Sequence, residues 1–136
     1  MYRFITLNEH NQFLKILEIL SKTTKYIEYV LIDEEDTSLI DDLQGDILMQ
    51  KYVNKWCGTK TSQRCCLYKI KATPKLFSRL KKFTTFCISK TDFRGDYVEA
   101  TNFGINDIAF FDDKSEPMLF TTTHEGYIAL RKDIKF

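Results

Sequence analysis

The chain has 136 residues, 43% of them hydrophobic and 29% charged, a balance that suits one domain, since a chain of this size buries roughly two-thirds of its unfolded surface. Eleven Phe, seven Tyr and one Trp exclude a disordered chain, and five Gly with two Pro exclude collagen-like, linker-rich or Gly-rich phosphate-loop architectures. The formal charge of +1 hides a segmental polarity: residues 1–50 carry ten acids and four bases, 51–100 twelve bases and three acids, and 101–136 six acids and four bases.

Met1 to Leu7 is a short apolar segment carrying Arg3, and Asn8, Glu9 and His10 follow before any secretory-type hydrophobic region develops, so no signal peptide is expected. Asn8 is the expected N-cap of an amphipathic helix over Glu9 to Lys22, because Phe13, Leu14, Leu17 and Leu20 recur at helical spacing. Tyr26 to Ile32, rich in β-branched and aromatic residues, predicts a strand. An acidic loop follows from Asp33 to Asp46, with Gly45 as a turn. For Ile47 to Cys57 two readings fit: Met49, Val53 and Trp56 suit a helix face, while Leu48 to Trp56 suits one arm of a hairpin, and the strand is preferred.

The polar residues Gly58 to Gln63 read as the turn of that hairpin, and the alternation from Cys65 to Lys71 as its second arm. Thr73 before Pro74 is a helix start, with a capping hydroxyl and a residue whose missing N–H is harmless in the first turn. The helix expected over Pro74 to Lys82 leads an apolar face of Leu76, Phe77, Leu80 and Phe83. Strands are expected over Thr84 to Ser89 and, after a turn from Asp92 to Asp96, over Tyr97 to Thr101. Asp107 to Phe111 and Met118 to Thr123 then form a hairpin, with Tyr127 to Leu130 as a further strand after Gly126. Hairpin-linked strands with interspersed helices define the expected class: one α+β domain over residues 1–136, an antiparallel sheet with two main helices packed on it. Its expected core comprises Phe13, Leu17, Leu20, Val30, Leu67, Ile70, Leu76, Phe77, Leu80, Ile108 and Phe110.

The apolar stretches are all far shorter than the roughly 20 residues a membrane helix needs, so no membrane partner is expected. Cys57, Cys65, Cys66 and Cys87 lack the paired spacing of structural zinc ligands, and a chain with this much aromatic core does not need disulfide staples. Reduced thiols in a cytoplasmic protein, with no metal and no cofactor, are the expectation.

The acidic run contains Asp33, Glu34, Glu35, Asp36, Asp41, Asp42 and Asp46 without an intervening base. It lacks the alternating ligands, central glycine and terminal Glu of a calcium loop. Clustered carboxylates on a loop can instead occupy the cationic, phosphate-binding cleft of a basic protein and mimic its substrate. Exposed charge pairs are individually weak, so such a contact also requires apolar anchors, for which Leu39, Ile40 and Leu43 are the candidates. In the other direction, no acid falls between Asp46 and Asp92, and the basic stretch permits a nucleic-acid reading carried by Lys69, Lys71, Arg79, Lys81 and Lys82, with Trp56 or Tyr68 stacking on a base. No RNA-recognition, zinc-finger or helix-turn-helix signature accompanies it.

His10 and His124 are the two histidines, and with a lysine they compose a general acid–base set for RNA cleavage if the fold unites them. His124 stands in Thr121-Thr122-Thr123-His124-Glu125-Gly126-Tyr127, where the plainer reading is a hydrogen-bonded turn. There is no phosphate loop, dinucleotide fingerprint, nucleophile elbow or catalytic-cysteine signature, so no catalytic residue is assigned and a binding protein is favoured over an enzyme.

This motif-poor α+β chain, with its acidic loop and an Asp107-Ile108-Ala109-Phe110-Phe111-Asp112 hairpin near its end, resembles the immunity proteins of bacterial contact-dependent growth inhibition and polymorphic toxin systems. The resemblance is one of general character and transfers no functional residue. It implies a cytoplasmic antitoxin that binds the C-terminal toxic domain delivered by a sibling cell and blocks its active site or substrate access.

Overall fold

A computed structural model describes residues 1–7, 9–86 and 106–136. In chain order the described elements are β1 (Tyr2–Ile5), α1 (His10–Ser21), β2 (Tyr26–Leu31), α2 (Ser38–Asp42), β3 (Ile47–Trp56), β4 (Thr59–Lys71), α3 (Pro74–Leu80), β5 (Asp107–Phe111), β6 (Pro117–Thr122) and β7 (Tyr127–Arg131), with short 3-10 turns at Gln44–Asp46 and Thr123–Glu125. The strands form one antiparallel sheet in the order β1-β7-β6-β5-β2-β4-β3. The fold is α+β.

Strand alternation gives the sheet two faces with different tasks. Ile27, Tyr29 and Leu31 of β2 share one face with Ile70 and Cys66 of β4 and with Phe110 and Ile108 of β5. Against this face pack Phe13, Ile16, Leu17 and Leu20 of α1 and Leu76, Phe77 and Leu80 of α3, forming the main core. α3 begins as its sequence dictates: Thr73 Oγ1 accepts the Leu76 N–H at 3.1 Å, and Pro74 follows the cap. All eleven expected core residues are buried, although Val30 and Leu67 lie on the opposite, open face.

The open face is covered in part by the chain's own longest ribbon. β3 and β4 are ten and thirteen residues long, and their ladder shifts register between Ile47 and Met49 and again between Val53 and Lys55, where β4 carries three more residues than β3. The ribbon end reaches β5 and β6: Trp56 Nε1 donates to Asp107 Oδ2 at 2.9 Å, and Gly58 lies against Phe120 and Thr122. Gly58 has φ +79°, and a Cβ there would stand 2.7 Å from Thr122 Oγ1 and 2.8 Å from the Phe120 ring, so this contact excludes any side chain.

Several elements differ from expectation. The N-cap of α1 is Glu9, whose N–H donates to Gln12 Oε1 at 3.2 Å; Asn8 lies outside the described residues. The hairpin turn is Cys57-Gly58 alone, and the polar residues Thr59 to Gln63 belong to β4, since polar residues suit an exposed ribbon as well as a loop. β1 went unpredicted because its register is set by β7, more than a hundred residues away. Thr84 to Phe86 are not strand, and residues 87–89, the Asp92 to Asp96 turn and the Tyr97 to Thr101 strand lie outside the described residues. Replacing Leu80, wholly buried between α3 and the sheet, with Ala should cost roughly 2–5 kcal/mol in a denaturant melt.

Candidate functional site

Where β2 ends, β5 begins and β6 ends, two consecutive buried polar residues organise the sheet's end. Asn106 Oδ1 accepts the backbone N–H groups of Ile32 and Asp33 at 2.7 and 2.8 Å, while its Nδ2 donates to Tyr29 Oη at 2.9 Å and to the Asp36 carbonyl at 3.4 Å. The Asn106 carbonyl in turn accepts Thr123 Oγ1 at 3.0 Å. Burial pushes the Tyr29 phenol upward, so it stays neutral inside this network. Asp107 accepts the Trp56 indole through Oδ2 and the Thr123 N–H through Oδ1 at 2.8 Å. One dipeptide thereby joins the acidic loop, the ribbon end and the Thr123–Glu125 turn.

The acidic loop has an ordered frame. Asp33 Oδ1 accepts the Glu35 N–H at 3.1 Å, Asp36 Oδ1 accepts Ser38 Oγ at 3.2 Å, and Asp41 Oδ2 accepts Thr37 Oγ1 at 2.9 Å. Glu34, Glu35, Asp41 and Asp42 are exposed, and Asp33, Asp36 and Asp46 are half-buried. Among the described residues the only acid of this segment in an ion pair is Asp42, 2.6 Å from Arg79 Nε, and that bond holds its carboxyl below the usual range. The expected anchors are corrected by the fold: Leu39, Ile40 and Leu43 are 1%, 4% and 0% exposed, because α2 turns its apolar side onto the core. They hold the loop down and are not available to a partner.

The basic residues singled out for nucleic acid do not form one face. Lys69 and Lys71 project from the open face of β4, with Lys69 Nζ 4.2 Å from the Tyr26 ring centroid and opposite Glu28. Arg79 lies across the sheet from them in the helical layer, donating to Asp42 and to Ser38 Oγ and resting over the Phe83 ring at 4.9 Å. Lys81 and Lys82 are exposed just past α3. Arg79 is thus a strut between α3 and α2.

Nor do the histidines meet. His10 Nδ1 is 3.0 Å from the Thr84 carbonyl, and its ring stacks on Phe13. His124 stands exposed in the turn after β6, its Nε2 3.7 Å from Glu125 Oε1. Cys57, Cys65 and Cys66 are free thiols. Burial, with a smaller contribution from Glu28, pushes Cys57 up to about 11, and burial followed by the charges of Glu34 and Asp107 raises Cys65, the reverse of what activates a nucleophile. Cys87 lies outside the described residues. Among the described residues no group of three or more His, Cys, Asp or Glu is placed to hold a metal ion, and no helix is long and apolar enough to cross a membrane.

Two features escaped the sequence reading. Asn106 carries no local signal, since its partners come from residues about 70 positions away. The exposed aromatics Phe4 and Tyr127 come together only because β1 pairs with β7, their centroids 5.1 Å apart. At the far end of β7, Arg131 bonds Asp112 at 2.8 Å and Asp133 at 2.7 Å, and these bonds hold both carboxyls below their ordinary value.

Comparison with known protein families, curated proteins and solved structures returns no significant match to the chain.

Replacing Asn106 with Ala should remove the acceptor of the Asp33 amide and one of the two acceptors of the Ile32 amide, whose other is the Val30 carbonyl at 3.2 Å, at about 1–3 kcal/mol for each group left buried and unpaired. Hydrogen exchange should show the Asp33 amide losing protection before the α1 core does. The Arg131 network carries an acid-range signature. Because the folded-state values of Asp112 and Asp133 are depressed, their stabilisation is complete above the ordinary aspartate value of 3.8 and disappears as pH falls through the depressed values. Arg131→Gln should flatten that limb of the stability profile, measured as urea midpoints across the acid range.

Proposed function

We propose that this chain is a cytoplasmic immunity protein that neutralises the C-terminal domain of a bacterial toxin by non-covalent binding, presenting its acidic loop to the toxin's cationic, phosphate-binding cleft. The observation that supports this reading best is the Asn106 clamp. Asp33, Glu34, Glu35 and Asp36 project from a backbone held at three points by one buried side chain. Carboxylates on such a frame lose little conformational freedom on binding, and their shared field steers a basic partner into register. Stability of the loop comes from beneath, through Leu39, Ile40 and Leu43, while the charges remain on the outside.

RNA binding and cleavage, the competing function, would need Lys69, Arg79 and His124 to converge. They sit respectively on the open face of the sheet, in the helical layer and at the sheet's end.

The immunity reading expects a large toxin gene directly upstream, and the test is co-expression with the C-terminal domain of that toxin, together with binding kinetics on the purified pair. The loop variant Asp33→Asn, Glu34→Gln, Glu35→Gln, Asp36→Asn keeps the side-chain acceptors of the loop and removes its charge. Association should slow by roughly tenfold or more at low ionic strength, and the remaining rate should depend less on salt than that of the unmodified protein. Equal protection and equal rates would exclude the loop as the contact, and failure to bind the neighbouring toxin would exclude the immunity reading.

A further inference from the structure

Across β1, β7 and β6 one rung of the open face reads Phe4, Ala129, Phe120. A methyl group between two aromatic side chains leaves a depression, and Tyr2 and Tyr127 complete its walls: Tyr2 meets Phe120 edge-on at 5.3 Å and Phe4 meets Tyr127 at 5.1 Å. Gly58 of the ribbon end closes one side. The resulting open cleft has a volume of about 280 Å³. That is an order of magnitude above the ~30 Å³ share of one liquid water, and so is large enough for a side chain. Phe4 is 73% exposed and Tyr127 48%, an unusual degree of exposure for two rings in contact.

The charges around the cleft select its occupant. Glu125 stands in its wall, and among the described residues its ionic contact is the exposed His124 at 3.7 Å. Beside Tyr2, on the same face, Arg131 is surrounded by Asp112, Glu116 and Asp133, so that corner carries a net charge of −2 from three carboxylates and one guanidinium. Arg3 also borders the cleft, but its register partner is Leu130 on the helical face and its guanidinium donates to the Ile134 carbonyl at 2.9 Å. Aromatic faces within about 6 Å of a cation attract it through their quadrupoles. A planar guanidinium combines stacking on such faces with a paired hydrogen bond to a carboxylate, which an ammonium cannot match.

We propose that the cleft over Ala129 is a docking site for an arginine side chain of a partner protein, stacked on Phe4 and Tyr127 and paired with Glu125. This goes beyond the toxin-binding reading, since it uses the open face and does not depend on the partner being a toxin. An anionic occupant is opposed by the surrounding carboxylates, and an uncharged apolar one would make no use of the Glu125 carboxylate in the wall.

The test is a ¹H–¹⁵N titration of the full chain with Nα-acetyl-arginine methylamide, alongside its citrulline and leucine analogues. Saturable shifts are expected at Phe4, Gly58, Glu125 and Tyr127 with the arginine probe, and binding roughly tenfold weaker with citrulline, which has the same shape without the charge. Phe4→Ala and Glu125→Gln change exposed side chains and should each weaken binding by a similar factor; Ala129→Leu should block it by filling the floor. The four-site loop variant should bind the probe like the unmodified protein, which separates this site from the acidic loop. Absence of saturable shifts, equal binding of citrulline, preference for leucine, or cleft variants that bind normally would each overturn the proposal.

Discussion

The paired side chains of Asn106 and Asp107 are what the surrounding architecture depends on. Both are almost fully buried, and in a medium of low polarity each unpaired donor or acceptor would cost more than a typical hydrogen bond contributes. Their bonds therefore have to be made together: Asn106 with the end of β2 and the acidic loop, Asp107 with Trp56 of the ribbon and with the turn after β6. A network whose members are all paired admits one arrangement of the elements that meet there, which hydrophobic burial alone, being non-directional, does not specify. It also ties the acidic, water-facing loop to the end of the sheet.

The chain's charge polarity is partly used within the fold and partly left for solvent. Arg79 ties the basic α3 to Asp42 on the acidic side, and Glu28 stands opposite Lys69 with its carboxyl raised by burial, an effect that Lys51 and Lys69 oppose. Arg131 gathers three carboxylates at the end of β7. After these pairings, Glu34, Glu35 and Asp41 remain exposed at one end of the sheet, and Lys51, Lys55, Lys60 and Arg64 remain exposed along the ribbon. Of the described thiols, Cys57 and Cys65 are raised by burial, and the two imidazoles stand apart, His10 against the Thr84 carbonyl and His124 beside Glu125.

The two faces of the sheet are covered differently. On the helical face, three helices seal an apolar core in which large side chains interlock. On the open face, the ribbon covers β5 and part of β6 but stops at Gly58, and the sheet beyond it, at β7 and β1, stays uncovered. The boundary between covered and uncovered sheet is therefore set by the length of β3 and β4 and by one glycine.

Local sequence determined α1, α3, the buried β2 and the closing hairpin, because apolar spacing, the Thr73-Pro74 start and β-branched runs act over a few residues. The expected core was right on the same ground: burial follows periodicity. The acidic run was also visible as a charge pattern, but the role of Leu39, Ile40 and Leu43 was not, since a short apolar run inside a polar loop reads the same whether it faces a partner or its own core. Tertiary structure alone decided that point. It likewise decided the pairing of β1 with β7, the reach of the ribbon to Asp107, the clamp of Asn106 and the cleft over Ala129. Each of these is a contact between residues far apart in the chain, and a side chain's local neighbours carry no record of which distant partner will satisfy it.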